Sequence, residues 1–354
     1  LPLGPVVMID TPGLDDTGEL GELRIKKAYQ ILNKTDIAIL VIDANMGMTK
    51  EDTAILQRIQ EKNIPCAIVK NKCDLSLSED STPKGVRPHS ENHSADSLPE
   101  NIPSIEVSAA TGKNIHELKE LIASLVPTDD GRLGIVSDLI SPGDFIVLVV
   151  PIDSAAPKGR LILPQVQTLR ELLDKRCLIM SVTTDRYPAA LQTLSRPPKL
   201  IITDSQVFPY IYENKPKESM LTSFSVLFAA YKGDLSYYIE GAKAIDSLKE
   251  TSHVLIAECC THAPLKEDIG RVKIPRMLKK RFGENLQVDL VSGTDFPDDL
   301  TGYDLIIQCG ACMFNRKYVM YRIDRAKKQQ VPVTNYGITI AHLTGILDHV
   351  ALPE

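Results

Sequence analysis

The sequence predicts an α/β protein made of three α/β domains with mainly parallel sheets. Apolar runs alternate with helix-like segments along the whole chain, which is the pattern that successive βα units produce. Continuous apolar runs such as DIAILVID (36–43) and HVLIAE (253–258) are typical of parallel strands buried on both faces. The chain has 354 residues, 43% of them hydrophobic, so two or three cores can form and disorder of the whole chain is excluded.

Changes in composition divide the chain into predicted domains at 1–127, 128–195 and 196–354. The first domain contains an insertion at 76–104 that holds seven Ser and four Pro and shows no hydrophobic periodicity, so we expect a surface loop there. The second domain opens with the linker PTDDGRLG, and the third opens with the turn-forming sequence RPP. Strands alternate with helices in each of the three.

Composition also argues against several classes of function. The net charge is −6, whereas a general electrostatic grip on nucleic acid needs a basic surface. No run approaches the roughly 18 apolar residues of a membrane-spanning helix, and the seven cysteines show no regular disulfide framework. We therefore expect a cytoplasmic protein with no nucleic-acid or membrane partner. Because the chain begins with Leu and shows no signal peptide, we expect that its true start is missing.

The first candidate site is Asp10-Thr11-Pro12-Gly13, which follows the apolar run GPVVMI (4–9), a predicted strand. An Asp at the end of a strand can hold Mg²⁺ through water, and a Gly three residues later lets a backbone N–H approach a γ-phosphate. Asp10 and Gly13 are therefore candidate ligands of Mg²⁺ and phosphate. The motif is short, and an ordinary turn explains it equally well.

Two further motifs follow later strands. In Asn71-Lys72-Cys73-Asp74 the carboxylate of Asp74 can accept hydrogen bonds from guanine N1 and N2, donors that adenine lacks. The stem of Lys72 can cover the base, and Asn71 can tie neighbouring loops together. Ser108 and Ala109, in the sequence Ser-Ala-Ala, can offer backbone N–H groups to guanine O6. The three motifs in this order resemble a GTPase domain of the translation-factor-like class, which implies GTP and Mg²⁺ binding.

The chain departs from that class in two respects. It contains no G-x-x-x-x-G-K-[ST] loop and no threonine switch segment. We expect both to lie before residue 1, so that the chain alone binds GTP poorly. In addition, Leu14 stands where such GTPases have a catalytic Gln, so no catalytic residue is assigned. By analogy, GTPases with an apolar residue at this place orient water by a dimer contact or a monovalent cation such as K⁺.

Two further motifs contain Cys and His residues at the spacing that is typical of metal ligands. Cys260 and His262 follow one predicted strand, and Cys309 and Cys312 follow another, so they should meet at the carboxyl ends of neighbouring parallel strands. Three Cys with one His satisfy tetrahedral zinc, whereas three Cys with an open fourth position suit a [4Fe–4S] cluster. Unligated buried cysteines are the third alternative. Cys259 is expected to lie in the core.

Together the motifs and the long segments 141–174, 261–276 and 331–337 resemble the HydF family of [FeFe]-hydrogenase maturation GTPases. The resemblance covers essentially the whole chain. It implies that the three predicted domains are a partial GTPase domain, a small dimerisation domain and a cluster-binding domain. It also implies that the thiolates of Cys260, Cys309 and Cys312 are iron ligands, with His262 as a candidate fourth ligand or a neighbour of the ligands. The family has a His directly before its CxxC motif, where this chain has Gln308, so the fourth ligand stays open.

The resemblance also implies a function. The protein would be a homodimeric scaffold and carrier that holds a [4Fe–4S] cluster, receives a diiron precursor from radical-SAM hydrogenase maturases and delivers it to apo-[FeFe]-hydrogenase. GTP hydrolysis would regulate the exchange of partners. Two alternatives are a GTPase switch with a structural zinc domain, acting in ribosome or tRNA-modification work, and a metal-binding interaction protein without GTPase activity.

Overall fold

A computed structural model describes residues 6–11, 28–75, 101–126, 134–152, 161–259 and 268–353. The chain divides into two compact units, Leu1–Asp130 and Gly131–Glu354. The described strands form three sheets, and every strand pair in them is parallel. The predicted α/β class with parallel sheets is therefore confirmed.

The first unit contains a three-stranded sheet of order β1-β2-β3. Its strands are β1 (Ala38–Asp43), β2 (Cys66–Asn71) and β3 (Ser104–Glu106), and its helices are α1 (Lys50–Glu61) and α2 (Ile115–Ser124). Helix α1 begins at a capping box, in which Thr49 accepts from the backbone of Asp52 and the Asp52 carboxylate accepts from the backbone of Thr49. The apolar face of α1 is buried against the sheet, which leaves the carboxyl ends of the strands open for loops.

The predicted strand at 4–9 is not found in its described part. Residues 6–11 form no regular structure, and Val7 is 88% exposed. A strand needs a neighbour that completes its hydrogen-bond ladder, and none of the described strands pairs with these residues. The prediction from apolar character alone was therefore wrong for residues 6–9.

The second unit contains two four-stranded sheets. The first has the order β5-β4-β6-β7. Its strands are β4 (Phe145–Val149), β5 (Leu178–Val182), β6 (Leu200–Thr203) and β7 (Met220–Ser223), and its helices are α3 (Leu163–Asp174), α4 (Tyr187–Gln192), α5 (Phe208–Asn214) and α6 (Phe224–Lys232). Since β6 pairs directly with β4, the predicted domain boundary after residue 195 falls between two strands of one sheet.

The second sheet of this unit has the order β11-β10-β8-β9. Its strands are β8 (His253–Ala257), β9 (Gln287–Val291), β10 (Leu305–Gln308) and β11 (Val333–Asn335), and its helices are α7 (Leu235–Lys243), α8 (Ile274–Phe282), α9 (Arg316–Lys328) and α10 (Tyr336–Leu343). Ala257 lies opposite Gln308 in the register. The strands that precede the two cysteine motifs are therefore neighbours, as predicted.

Helix α6 lies between the cores of these two sheets. Phe224, Leu227 and Phe228 belong to one hydrophobic cluster with strands of the first sheet, whereas Val226 and Ala229 belong to another that extends into the second sheet. A helix buried on both faces is apolar nearly all round, which explains the sequence FSVLFAAYK. The packing of α6 thus makes the two sheets parts of one compact unit.

Helix α7 approaches the second sheet closely at Gly241, where a Cβ would collide with the backbone of Val333. We expect Gly241→Ala to lower the free energy of unfolding by about 1–3 kcal/mol, because overpacking forces the backbone to shift. Urea denaturation followed by tyrosine fluorescence checks this. The protein has no Trp and 11 Tyr, of which Tyr29 alone precedes residue 131, so the signal reports on the second unit.

The matched control is Gly302→Ala, because a Cβ at Gly302 meets open space. Equal midpoints for the two variants would contradict the close packing of α7 on β11.

Candidate functional sites

The first candidate site lies at the carboxyl edge of the sheet in the first unit. Asn71 ends β2, and its Oδ1 accepts a hydrogen bond of 3.0 Å from the backbone N–H of Ala109. The backbone N–H of Cys73 donates to the carbonyl of Val107 at 3.2 Å. These bonds bring the Asn-Lys-Cys-Asp and Ser-Ala-Ala motifs together, as their positions after neighbouring parallel strands predict.

Lys72 points across this edge to the last residue of β1. Its Nζ lies 2.8 Å from Oδ2 of Asp43. This hydrogen bond raises the pKa of Lys72 and lowers the pKa of Asp43. Lys72 has a left-handed backbone (φ 65°), and its carbonyl accepts from Nδ2 of Asn45 at 3.4 Å. Sequence reasoning missed Asp43 and Asn45, although polar residues directly after an apolar strand were the available signal.

The other predicted residues of this site fall in different surroundings. Ser108 is fully buried, and its Oγ accepts from the N–H of Thr111 at 3.1 Å, which shapes the loop. Asp74 lies exposed in the single 3₁₀ turn Cys73–Leu75. Asp10 is exposed in the segment 6–11, and no hydrogen bond between described residues joins it to the two motifs. Gly13 lies outside the described residues.

The second candidate site is the loop that follows β10 in the second unit, Cys309–Phe314, which we call the cysteine loop. The Sγ of Cys309 accepts from the backbone N–H of Cys259 at 3.1 Å and from that of Ala311 at 3.4 Å. A hydrogen bond with the side chain of Cys259 lowers the pKa of Cys309. Donors of this kind stabilise an anionic sulfur, which is the form that binds metals.

Lys232, the last residue of α6, is hydrogen-bonded to the cysteine loop. Its side chain is buried, and its Nζ donates to the carbonyls of Ala311 (3.0 Å), Cys312 (3.2 Å) and Phe314 (2.8 Å). Burial lowers the pKa of Lys232, while the neighbouring cysteines oppose that change. The ammonium thus gives its three hydrogens to three carbonyls of one loop.

A second buried cation lies beside Cys259. Arg322 on α9 is 1% exposed. Its guanidinium donates to the carbonyls of Gly293 (2.6 Å) and Glu258 (3.3 Å) and lies 3.6 Å from the Sγ of Cys259. Three aromatic rings surround it at 4.9–5.4 Å: Phe296, Phe314 and Tyr318. Sequence reasoning found neither this Arg nor Lys232, because helix periodicity does not reveal that a cation is buried.

Gln308, which the sequence marked as a departure from the family pattern, is also buried. It lines a cavity of about 10 Å³ together with Lys232, Tyr238 and Cys309. Neither polar atom of its amide has a hydrogen-bond partner within the described part of the chain. A cavity of this size holds about one water molecule.

The proposed ligands themselves are only partly placed. Cys309 and Cys312 lie in the cysteine loop, whereas Cys260 and His262 fall in the gap 260–267 outside the described residues. Within the described ranges no group of three or more His, Cys, Asp or Glu side chains converges as a metal site. Cys259 is buried in the core as predicted, and it contacts Cys309, which the sequence did not predict. The ligand set stays a prediction.

Three family models match the chain in succession. The elongation factor Tu GTP binding domain matches residues 5–128, the hydrogen maturase F dimerization domain matches 135–233, and the hydrogen maturase F tetramerization domain matches 236–353. The two hydrogen maturase models together cover more than half of the chain. The chain belongs to the hydrogen maturase F (HydF) family. The HydF dimerization match contains all four strands of the sheet β5-β4-β6-β7.

The GTP-binding domain has further relatives. The tRNA modification GTPase MnmE of Heliobacterium modesticaldum is 33% identical over 135 residues, which are 38% of this chain and 26% of that protein. The GTPase Era of Halothermothrix orenii is 28% identical over 158 residues, 41% of this chain and 51% of that protein. The HydF chain thus spans about a quarter to a half of these relatives. Among its described helices, none combines the length and apolar character that crossing a bilayer requires.

Proposed function

We propose that this HydF chain is part of a GTP-hydrolysing scaffold for assembly of the [FeFe]-hydrogenase active site. The observation that carries the proposal is the succession of a GTP-binding match and two hydrogen maturase matches along one chain. In this function the protein holds a [4Fe–4S] cluster at Cys260, Cys309 and Cys312. It takes a diiron precursor from radical-SAM maturases and passes it to apo-hydrogenase in the cytoplasm.

The surroundings of the cysteine loop fit such a cluster. Cys309 accepts two backbone hydrogen bonds, and hydrogen bonds to sulfur are one of the means by which proteins tune iron–sulfur centres. Lys232 and Arg322 place two buried positive charges beside the cysteines, which offsets the negative charge of thiolate ligands. When bound, the cluster would supply an iron with an exchangeable coordination position. The chain's own residues would hold the thiolates and exclude water.

The edge that contains Asn71 fits a guanine site. The bond between Asn71 and Ala109 joins the two motifs. Because the N–H of Ser108 donates to the carbonyl of Lys113 at 3.1 Å, the N–H of Ala109 would leave Asn71 to donate to guanine O6. Asp74 would accept from guanine N1 and N2, and Lys72 would leave Asp43 to cover the base. Asp10 and Gly13 would serve Mg²⁺ and the γ-phosphate, with K⁺ as a candidate further cation. GTP hydrolysis would then regulate the exchange of partners.

The guanine assignment predicts a change of nucleotide preference. Asp74→Asn should weaken GTP binding at least about 100-fold, because each hydrogen bond to a charged acceptor contributes about 1.5–3 kcal/mol. The same variant should gain affinity for xanthosine triphosphate, whose O2 can accept from the new amide. The affinities are measured with fluorescent nucleotides in a chain that carries a G-x-x-x-x-G-K-[ST] loop ahead of residue 1.

The matched control is Asp52→Asn, because Asp52 is the acidic partner in the capping box of α1 and has no part in the guanine edge. Unchanged GTP affinity in Asp74→Asn would remove the guanine assignment.

The cluster assignment predicts loss of iron from single substitutions. Cys309→Ser and Cys312→Ser should each lose most of the bound iron and sulfide after anaerobic reconstitution, since serine is a poor ligand for the cluster. Iron, sulfide and zinc are counted together with the visible spectrum. The control is Cys177→Ser, a buried cysteine whose Sγ lies 3.7 Å from the carbonyl of Ser141. One zinc and no iron in the wild type would favour the structural zinc alternative.

We further propose that a second copy of the chain binds the outer face of α3. Leu163, Val166 and Leu173 on this helix are 43–54% exposed, and Leu178 on the edge strand β5 is 56% exposed. Their spacing along α3 places them on one face, inside the region of the dimerization match. Apolar side chains on a helix and an edge strand of one domain are typical of an interface.

The interface assignment predicts the effect of one buried charge. Val166→Glu should halve the molar mass measured by light scattering, because a carboxylate at the centre of an apolar interface is desolvated without a partner. Ile152→Glu is the control, since Ile152 is 86% exposed in the same domain and lies on neither α3 nor β5. An unchanged mass in Val166→Glu would place the interface elsewhere.

A further inference from the structure

The cysteine loop receives a side chain from outside the region that contains the cysteines. Lys232 lies inside the dimerization match, which ends at 233, whereas Cys309 and Cys312 lie inside the tetramerization match, which begins at 236. The three carbonyls that Lys232 contacts are 79–82 residues further along the chain. The loop is therefore shaped by both regions.

Hydrogen bonds at both ends of α6 fix the position of Lys232. Near the N-terminus of α6, the Oγ of Ser225 accepts from the N–H of Gly337 at 3.1 Å, and the carbonyl of Ser225 accepts from Nδ2 of Asn335 at 2.9 Å. At the C-terminus of α6, the carbonyl of Gly233 accepts from the guanidinium of Arg316 at 2.7 Å. The helix is thus joined to β11 on one side of the loop and to α9 on the other.

The charge of Lys232 has no carboxylate partner within the described residues, where its contacts are carbonyls and the ring of Phe228. Burying an ammonium is costly unless a negative charge lies near it. Lys232 contacts the loop that would hold such a charge, because its Nζ donates to the carbonyl of Cys312 at 3.2 Å. A lysine in this place therefore matches an anionic centre at the cysteine loop.

We propose that Lys232 is a positioning residue of the iron–sulfur site, contributed by the dimerization region. This proposal rests on the function proposed above for the cysteines. Lys232 holds the carbonyls of Ala311, Cys312 and Phe314 in the arrangement that presents Cys312, and its charge favours the reduced state of the cluster. Reduction adds one electron, and hence one negative charge, beside the ammonium.

The test compares the wild type with Lys232→Gln and Lys232→Arg in the full chain, reconstituted anaerobically with iron and sulfide. The glutamine keeps an N–H donor without the charge, and the arginine keeps the charge. We expect Lys232→Gln to shift the midpoint potential of the cluster to more negative values in a dithionite titration followed by electron paramagnetic resonance. A tenfold weaker preference for the reduced state corresponds to about 59 mV for one electron. Lys232→Arg should have the midpoint potential of the wild type.

Lys215→Gln is the matched control, because Lys215 also donates to two carbonyls, those of Pro216 and Ser219, in another loop. It should leave the potential unchanged. A purely structural role for Lys232 would lower the iron content in both Lys232 variants without separating their potentials, and that result overturns the proposal. Equal potentials in wild type and Lys232→Gln overturn it too. A wild type that binds no iron overturns the function proposed for the cysteines, and the inference with it.

Discussion

The packing of α6 between two parallel sheets is the constraint on which the second unit depends. Its two faces enter two hydrophobic clusters, so neither sheet could keep its core if the helix moved. Burial on both faces excludes polar side chains from the middle of the helix, and its buried cation is placed at the end. The same packing that closes the cores therefore carries the ammonium of Lys232 to the cysteine loop.

Parallel strand geometry explains why both candidate sites lie where they do. In each sheet the strands run in one direction, so the loops that follow them gather at one edge. At one edge the neighbours β2 and β3 bring Asn71 to Ala109. At the other, the neighbours β8 and β10 bring Cys259 to Cys309. Segments 38 and 50 residues apart in sequence thus meet without any specific long-range recognition beyond the strand ladder.

The sequence predicted those parts of the fold that a local pattern encodes. Strand β2 begins with the continuous apolar run CAIV, and α1 has a capping box and one apolar face, so a local pattern encodes both elements. No local pattern reveals α6, because burial on both faces removes the 3.6-residue period, and MLTS of β7 is too short to stand out. Residues 6–9 were predicted to form a strand and do not, since apolar composition does not supply a pairing partner. The partners of Lys232 lie about 80 residues away, which no local pattern contains.

The same architecture determines how the association of two copies could affect the cysteine loop. Helix α3 carries apolar side chains on its outer face and contacts α6 on its inner side, and α6 ends at Lys232. Two packed helices therefore separate the proposed interface from the loop. Coupling by a switch would need a second arrangement of α6, yet α6 is hydrogen-bonded near both ends and buried in two cores. Association of two copies would accordingly stabilise one position of α6, and with it one shape of the cysteine loop.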